Sequence, residues 1–276
     1  MTTKAFQITP HENLRLDTNQ STLDAQTQKL PQGFYTTFCT LAQGTKVLGL
    51  KDHLQRLYGP AQNLGLRPAV DEKTLRAAIA GLTQRYRRKE SRIRLLMAKE
   101  SGAIYAAIQP YEPLAVATLE MGVHVTTTEL VRKDPRIKDS AFIRASRSHR
   151  SRAGKGVFEV LLTRNHRILE GMTSNFYGIK GRSIITARAG ILLGVTRKVV
   201  IRLARKGGMS IQYRAPSIDE HLSESFLTSS SRGVVPIIAI DGRPVGQGRV
   251  GKWTKLLSKV YQAYLEEQSE LILRSD

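Results

Sequence analysis

LEGMTSNFYGIK (residues 169–180), LLGVTRKVVIRLARKGG (192–208) and SFLTSSS (225–231) carry the densest pattern in this 276-residue chain. NFYGIK, and the SIITA that follows at 183–187, are rich in β-branched and aromatic residues and read as strands. In the second stretch Val199, Val200, Leu203 and Ala204 share one helical face, Thr196 is a good N-cap type, and Gly207 and Gly208 stop the helix. IQY (211–213), SFLTSS and VVPIIAI (234–240) read as further strands, with Asp241 and Gly242 as a hairpin-type turn. A closing helix over 252–267 is amphipathic through Leu256, Leu257, Val260 and Tyr264. Upstream, GVHVTTTEL (122–130) and VFEVLLT (157–163) are strands, and between them a basic loop leads into a helix near 140–152.

The first half has a similar mixture. GFYTTFCTL (33–41) reads as a strand, Gln43 and Gly44 as a turn, and KVLGL (46–50) as the returning strand. A helix follows over 51–66, which Pro60 is expected to kink or split. A clearer one spans 71–86, with Asp71 as N-cap and an apolar stripe of Leu75, Ile79 and Leu82. RIRLLMAK (92–99) and AIYAAIQPY (103–111) are strands. The first 25 or so residues are polar and aperiodic and are expected to be loose. The stretch 110–113, proline at both ends, is the best linker. Strands and helices in two blocks argue an α+β fold with a small N-terminal α/β domain (1–113) and a larger, mixed C-terminal domain (114–276).

Composition narrows the function classes. Hydrophobic residues make up 41%, enough for a core, which argues against a disordered chain. The single cysteine, Cys39, excludes an intramolecular disulfide and a Cys-rich zinc site. No stretch is apolar enough for a membrane span, and the N-terminus lacks a signal-type apolar core, so a cytoplasmic location is expected. The net charge is +20, and its densest run holds nine basic residues between Arg132 and Lys155. Such a run suits phosphate-rich partners. No zinc knuckle, basic zipper or RNP-like motif accompanies it, so no specific nucleic-acid partner is expected. There is no metal-ligand spacing and no Gly-rich nucleotide loop.

Four segments could carry chemistry: Pro135-Arg136-Ile137-Lys138, the Glu170 stretch, Leu192 to Arg197 at the helix start, and the hydroxyl run ending in Ser229, Ser230 and Ser231. Singly each has a plain structural explanation. In this order and spacing they resemble the class IV aminotransferases, the fold-type IV pyridoxal-phosphate enzymes, a family that includes branched-chain and D-amino acid aminotransferases and aminodeoxychorismate lyases. The resemblance runs from about Gly33 to Tyr264 and is strongest after Lys138. It implies that Lys138 is the amine that forms a Schiff base with the cofactor and then shuttles a proton, and that Glu170 keeps the ring nitrogen protonated. It places the phosphate on the helix start at Val195 and Thr196, with Ser229, Ser230 and Arg56 around it. Leu192 would pack on the ring. Tyr35 and Thr37 match positions lining the substrate side, and Arg94 is the candidate for the substrate carboxylate. A site in the cleft between the domains and a homodimer are implied as well.

The chain also departs from the family pattern. LDAQTQKLPQGF stands where an Asp-Arg-Gly turn is common, and Ala141, Phe142 and Ile143 follow where Asn and Tyr are usual after the lysine. No match to the carboxylate trap of D-amino acid aminotransferases follows Lys99. The expected reaction is amino-group transfer between an amino acid, of branched-chain or D type, and a 2-oxo acid. The Thr36-Thr37 pair keeps aminodeoxychorismate lyase, which releases pyruvate with the same cofactor, as the alternative. A basic nucleic-acid-binding protein on an inactive scaffold is a remoter one, disfavoured by the presence of both Lys138 and Glu170.

Overall fold

The structure is a computed structural model and describes residues 3–84, 90–154 and 156–273. The end of the helix read over 71–86 and Lys155 of the basic run lie outside the described residues. The chain divides into two compact units. The first holds Met1–Glu112, Ile137–Arg144 and Leu265–Asp276; the second holds Pro113–Arg136 and Ala145–Tyr264.

The first unit contains β1 (Thr3–Ile8), β2 (Asn13–Gln20), α1 (Leu23–Gln28), β3 (Gly33–Cys39), β4 (Lys46–Val47), α2 (Leu50–Asn63), α3 (Glu72–Thr83), β5 (Ser91–Ala98) and β6 (Ile104–Pro110). Five of its strands form an antiparallel sheet in the order β2-β1-β6-β5-β3. Phe34 and Phe38 on one face of β3 pack with Leu54 and Leu57 of α2 and Leu75, Ile79 and Leu82 of α3. Tyr35, on the other face, clusters with Leu30, Leu96 and Ile143.

Three expectations fail here. Residues 3–20 are not loose: β1 pairs with β6 from Lys4↔Ile108 to Ile8↔Ile104 and buries Ala5, Phe6 and Ile8. The burial comes from a strand about 100 residues away, and the partner β2 is a polar edge strand, so the local sequence carries little signal. Pro60 does not break α2, because it stands in the last turn, where only one backbone bond is lost. The returning strand also shortens to Lys46–Val47, with Leu50 already opening the helix.

Beyond β6 the chain forms α4 (Val116–Met121) and β7 (Val123–Glu129). Two short helices, α5 (Ala141–Ala145) and α6 (Arg147–Arg150), replace the one helix expected near 140–152. Next come β8 (Glu159–Arg164), β9 (Arg167–Gly171), β10 (Asn175–Lys180), β11 (Ser183–Thr186), α7 (Val195–Lys206), β12 (Ser210–Tyr213), β13 (Glu224–Ser229), β14 (Gly233–Ile240), β15 (Arg243–Pro244), α8 (Lys252–Gln268) and β16 (Glu270–Leu271). Of these, β16, the last turn of α8 from Leu265 and all but the last residue of α5 fall in the first unit. The nine-stranded mixed sheet of the second unit closes on itself, because β9 pairs with β8 on one side and with β10 on the other through Glu170↔Asn175.

Division into contiguous halves at 113/114 is therefore amended. Lys138 accepts a backbone bond from Tyr35 at 2.8 Å, Phe34 bridges to Asp139, and β16 pairs with β4, which returns both segments to the first unit.

Candidate active site

Glu170 lies on the strand pairing that closes the second sheet and is 1% exposed. A buried carboxylate needs partners, and this one has them on both oxygens. Arg132 Nε donates to Oε1 at 2.7 Å. Leu192 N donates to Oε2 at 3.0 Å, and Asn175 Nδ2 approaches the same oxygen at 3.4 Å. Asn175 Nδ2 also donates to the Leu192 carbonyl at 2.7 Å. These bonds tie Glu170 to the segment leading into α7.

Helix α7 starts without a side-chain cap. Its N-cap is Gly194, at φ −64° and ψ 147°, rather than Thr196, which lies one residue inside the first turn. The uncapped first-turn amides and the positive end of the helix dipole make this terminus suited to an anion. The cap is tight, since a Cβ there would stand 2.4 Å from Asn175 Oδ1 and force that amide to shift. Val195 and Thr196 are buried, and Thr196 Oγ1 donates to Ser230 Oγ at 3.4 Å. Ser229 ends β13, and its Oγ accepts from Arg232 Nε at 3.1 Å. Arg232 Nη2 in turn donates to Glu159 Oε2 at 2.7 Å and to Thr173 Oγ1 at 2.6 Å, which braces the hydroxyl run against β8. Glu170, Leu192, Val195, Thr196, Ser229 and Ser230 thus belong to the second unit, with Glu170 bonded to Leu192 and Thr196 to Ser230.

Lys138 belongs to the first unit. Its backbone is held along β3 by Tyr35 N, and the neighbouring Ser140 exchanges two bonds with Gly33, each of 2.9 Å. Gly33 cannot be replaced there, because a Cβ would stand 2.0 Å from the Met97 carbonyl oxygen. Lys138 Nζ lies 5.0 Å from the centre of the Tyr35 ring, and Arg94 lies over the same ring at 4.8 Å. Asp139 is paired with Lys99 and caps α5 through Ala141 N at 2.8 Å.

Arg94 is 6% exposed, and its guanidinium is engaged by the chain itself. It donates to Thr37 Oγ1 at 2.9 Å, to Asp24 Oδ1 at 2.7 Å and to Thr27 Oγ1 at 2.9 Å. The acid it meets in this structure is Asp24 of α1, which covers that face of the sheet. Thr36 and Thr37 point to opposite faces of β3: Thr36 shares a 2.7 Å hydrogen bond with buried His53 Nδ1, and Thr37 binds Arg94. Arg56 sits half-buried on α2, one turn beyond His53. Burial, then the charges of Arg56 and Lys138, hold His53 well below the usual histidine range.

Arg132, Arg232 and Asp24 are the residues sequence reading missed. Each is a charged side chain in a basic or polar stretch, and only the fold shows which partner it meets. The density of charge between Arg132 and Lys155 hid Arg132, which reaches Glu170.

Residues 33–240 match the family model described as amino-transferase class IV. The chain is 27% identical over 234 residues to a D-alanine aminotransferase of Bacillus licheniformis, covering 77% of this chain and 81% of that one. It is 26% identical over 249 residues to a branched-chain-amino-acid aminotransferase of Pseudomonas aeruginosa, with 79% and 78% covered. Among solved structures, a putative branched-chain amino acid aminotransferase of Thermotoga maritima shares the fold with a TM-score of 0.80 at 22% identity, over 96% of each chain. A hypothetical aminotransferase of Mycobacterium tuberculosis, solved in a PLP-bound form, aligns with a TM-score of 0.75 at 21% identity, over 95% of this chain and 98% of that one.

Proposed function

Because this chain belongs to the class IV aminotransferase family, whose members use pyridoxal phosphate, we propose that it moves an amino group between a branched-chain or D-type amino acid and a 2-oxo acid. The observation that carries the reading is the buried Glu170 carboxylate bonded to the segment that opens the uncapped helix α7. A lone structural acid needs no anion-binding helix start beside it, and a lone phosphate site needs no buried acid. The donor set fits a cofactor that has a phosphate at one end and a protonated ring nitrogen at the other.

When bound, pyridoxal phosphate supplies a carbonyl for the amino group and a ring that takes up electron density from the substrate carbon. The chain's residues do the rest. Lys138 would hold the cofactor through Nζ and afterwards carry a proton on that atom. Glu170 would accept from the ring nitrogen, and its charge-assisted bond keeps the proton there. The first-turn amides at Val195 and Thr196, with the hydroxyls of Thr196, Ser229 and Ser230, would bind phosphate, and Arg56 would add a cation. Leu192 would cover a ring face. Tyr35, Thr37 and Arg94 are the proposed substrate-side residues, and Arg94 would meet a substrate carboxylate while bonded to Asp24. The reading includes a homodimer and a cytoplasmic location, and among the described residues no helix is long and apolar enough to cross a membrane.

The test is a paired assay. Branched-chain and D-amino acids are offered with 2-oxoglutarate, and oxo-acid-dependent amino transfer is measured beside pyruvate release from aminodeoxychorismate. Transfer without pyruvate release is expected. Pyruvate release alone would replace this reading with the lyase.

A further inference from the structure

Arg132 stands in the loop after β7, and at 7% exposure it is nearly as buried as Glu170. Its contacts are two-pronged. Nε donates to Glu170 Oε1 at 2.7 Å, and Nη2 donates to the Met172 carbonyl at 2.8 Å, just beyond the end of β9. A planar guanidinium held at two points fixes the orientation of the carboxylate it meets. It also compensates the carboxylate's charge in a region that excludes water, where an uncompensated ion is costly. A cationic ring nitrogen arriving at Glu170 would therefore meet an acid that already shares its charge with a guanidinium. Both the repulsion from Arg132 and the weakened acceptor act in one direction: they loosen the hold on the ring proton.

We propose that Arg132 is a positioning residue for the ring-nitrogen contact: it orients Glu170 and moderates how firmly that carboxylate keeps the cofactor's ring protonated. This rests on the reading of Glu170 as the ring's partner. It goes beyond that reading by giving the chain's own arginine control over the electron sink.

Two measurements on the full chain test it. The first needs no cofactor: urea midpoints are compared for wild type, R132M, E170Q and R132M/E170Q. R132M should lower the midpoint, because it takes the guanidinium away from a buried carboxylate, and R132M/E170Q should recover part of the loss. If R132M does not fold, recovery of folding in R132M/E170Q is the same result in stronger form. Strictly additive losses, or no recovery, would overturn the proposal. The second uses pyridoxal phosphate labelled with ¹⁵N in the ring. In R132M, or in R132K if R132M does not fold, the bound resonance is compared with wild type: R132M should shift it toward the protonated position, and R132K, which keeps the charge, should leave it near wild type. A resonance unmoved in R132M, or moved equally in R132K, would overturn the proposal while leaving the role of Glu170 standing. Failure of the wild-type chain to bind the cofactor would overturn both.

Discussion

At the scale of single residues, two buried ionisable groups have opposite consequences. Glu170 is held by Arg132, Leu192 N and Asn175, so an amide in its place keeps the shape but loses the charge. E170Q should therefore retain most of its cofactor affinity and lose about 10²–10³ in turnover, the usual effect of removing one preorganised charge. Single-turnover rates with saturating cofactor measure this, and an unchanged rate would remove Glu170 from the mechanism. His53 is buried and neutral, bonded to Thr36, and its pKa is lowered first by burial and then by Arg56 and Lys138. The unfolded chain takes up a proton at His53 below about pH 6.5, while the folded chain resists it. Stability should fall as pH drops below that value, and the loss should deepen toward the folded pKa. Thermal unfolding from pH 8 to 5 should show a smaller decline in H53Q than in wild type.

At the scale of elements, the start of α7 depends on one glycine. A Cβ at Gly194 would collide with Asn175 Oδ1, the side chain that also links Leu192 to Glu170. G194A should cost about 1–3 kcal/mol in urea unfolding, as overpacking of a tight contact does, and should weaken cofactor binding as well. Strand β1 makes a different prediction. It sits between β2 and β6, so a chain lacking residues 1–20 leaves β6 as a hydrophobic edge and should express largely as aggregate. The same contrast explains what was legible. α3, capped by Asp71 and striped by Leu75, Ile79 and Leu82, and β3, β5, β10 and β14 could all be read locally, because helical periodicity or β-rich composition set them. β1 and β2 could not, because β1 is held by its pairing with the distant β6 and β2 is a polar edge strand that follows β1. The candidate site followed the same rule. Ordered motifs pointed to Lys138, Glu170, Thr196 and the serines, whereas the links through Arg132, Arg232 and Asp24 exist only after folding.

At the scale of the whole molecule, the net charge is +20, yet part of the basic side chains behind it is committed inside the fold. Several cations of the second unit are engaged by internal acids and carbonyls: Arg132 by Glu170, Arg232 by Glu159, Arg197 by the Ala187 carbonyl. On α6 and just after it, Arg150 and Arg152 donate to the hydroxyls of Ser146 and Thr128. Duplex DNA binding should then be weak and sequence-independent, and should fade steeply between low and physiological salt. The triple variant R147Q/R150Q/R152Q should keep its turnover. Filter binding at two salt concentrations and a steady-state assay of the variant test this; salt-resistant binding, or loss of turnover, would give the basic run a role of its own.

The central claim is that Lys138 is the residue that holds pyridoxal phosphate. The chain is saturated with the cofactor, treated with borohydride, digested, and the fixed pyridoxyl group is located by mass. The account predicts a yellow protein before reduction and a single modified peptide with the label on Lys138. A label on another lysine, or no label under saturating cofactor, would contradict it.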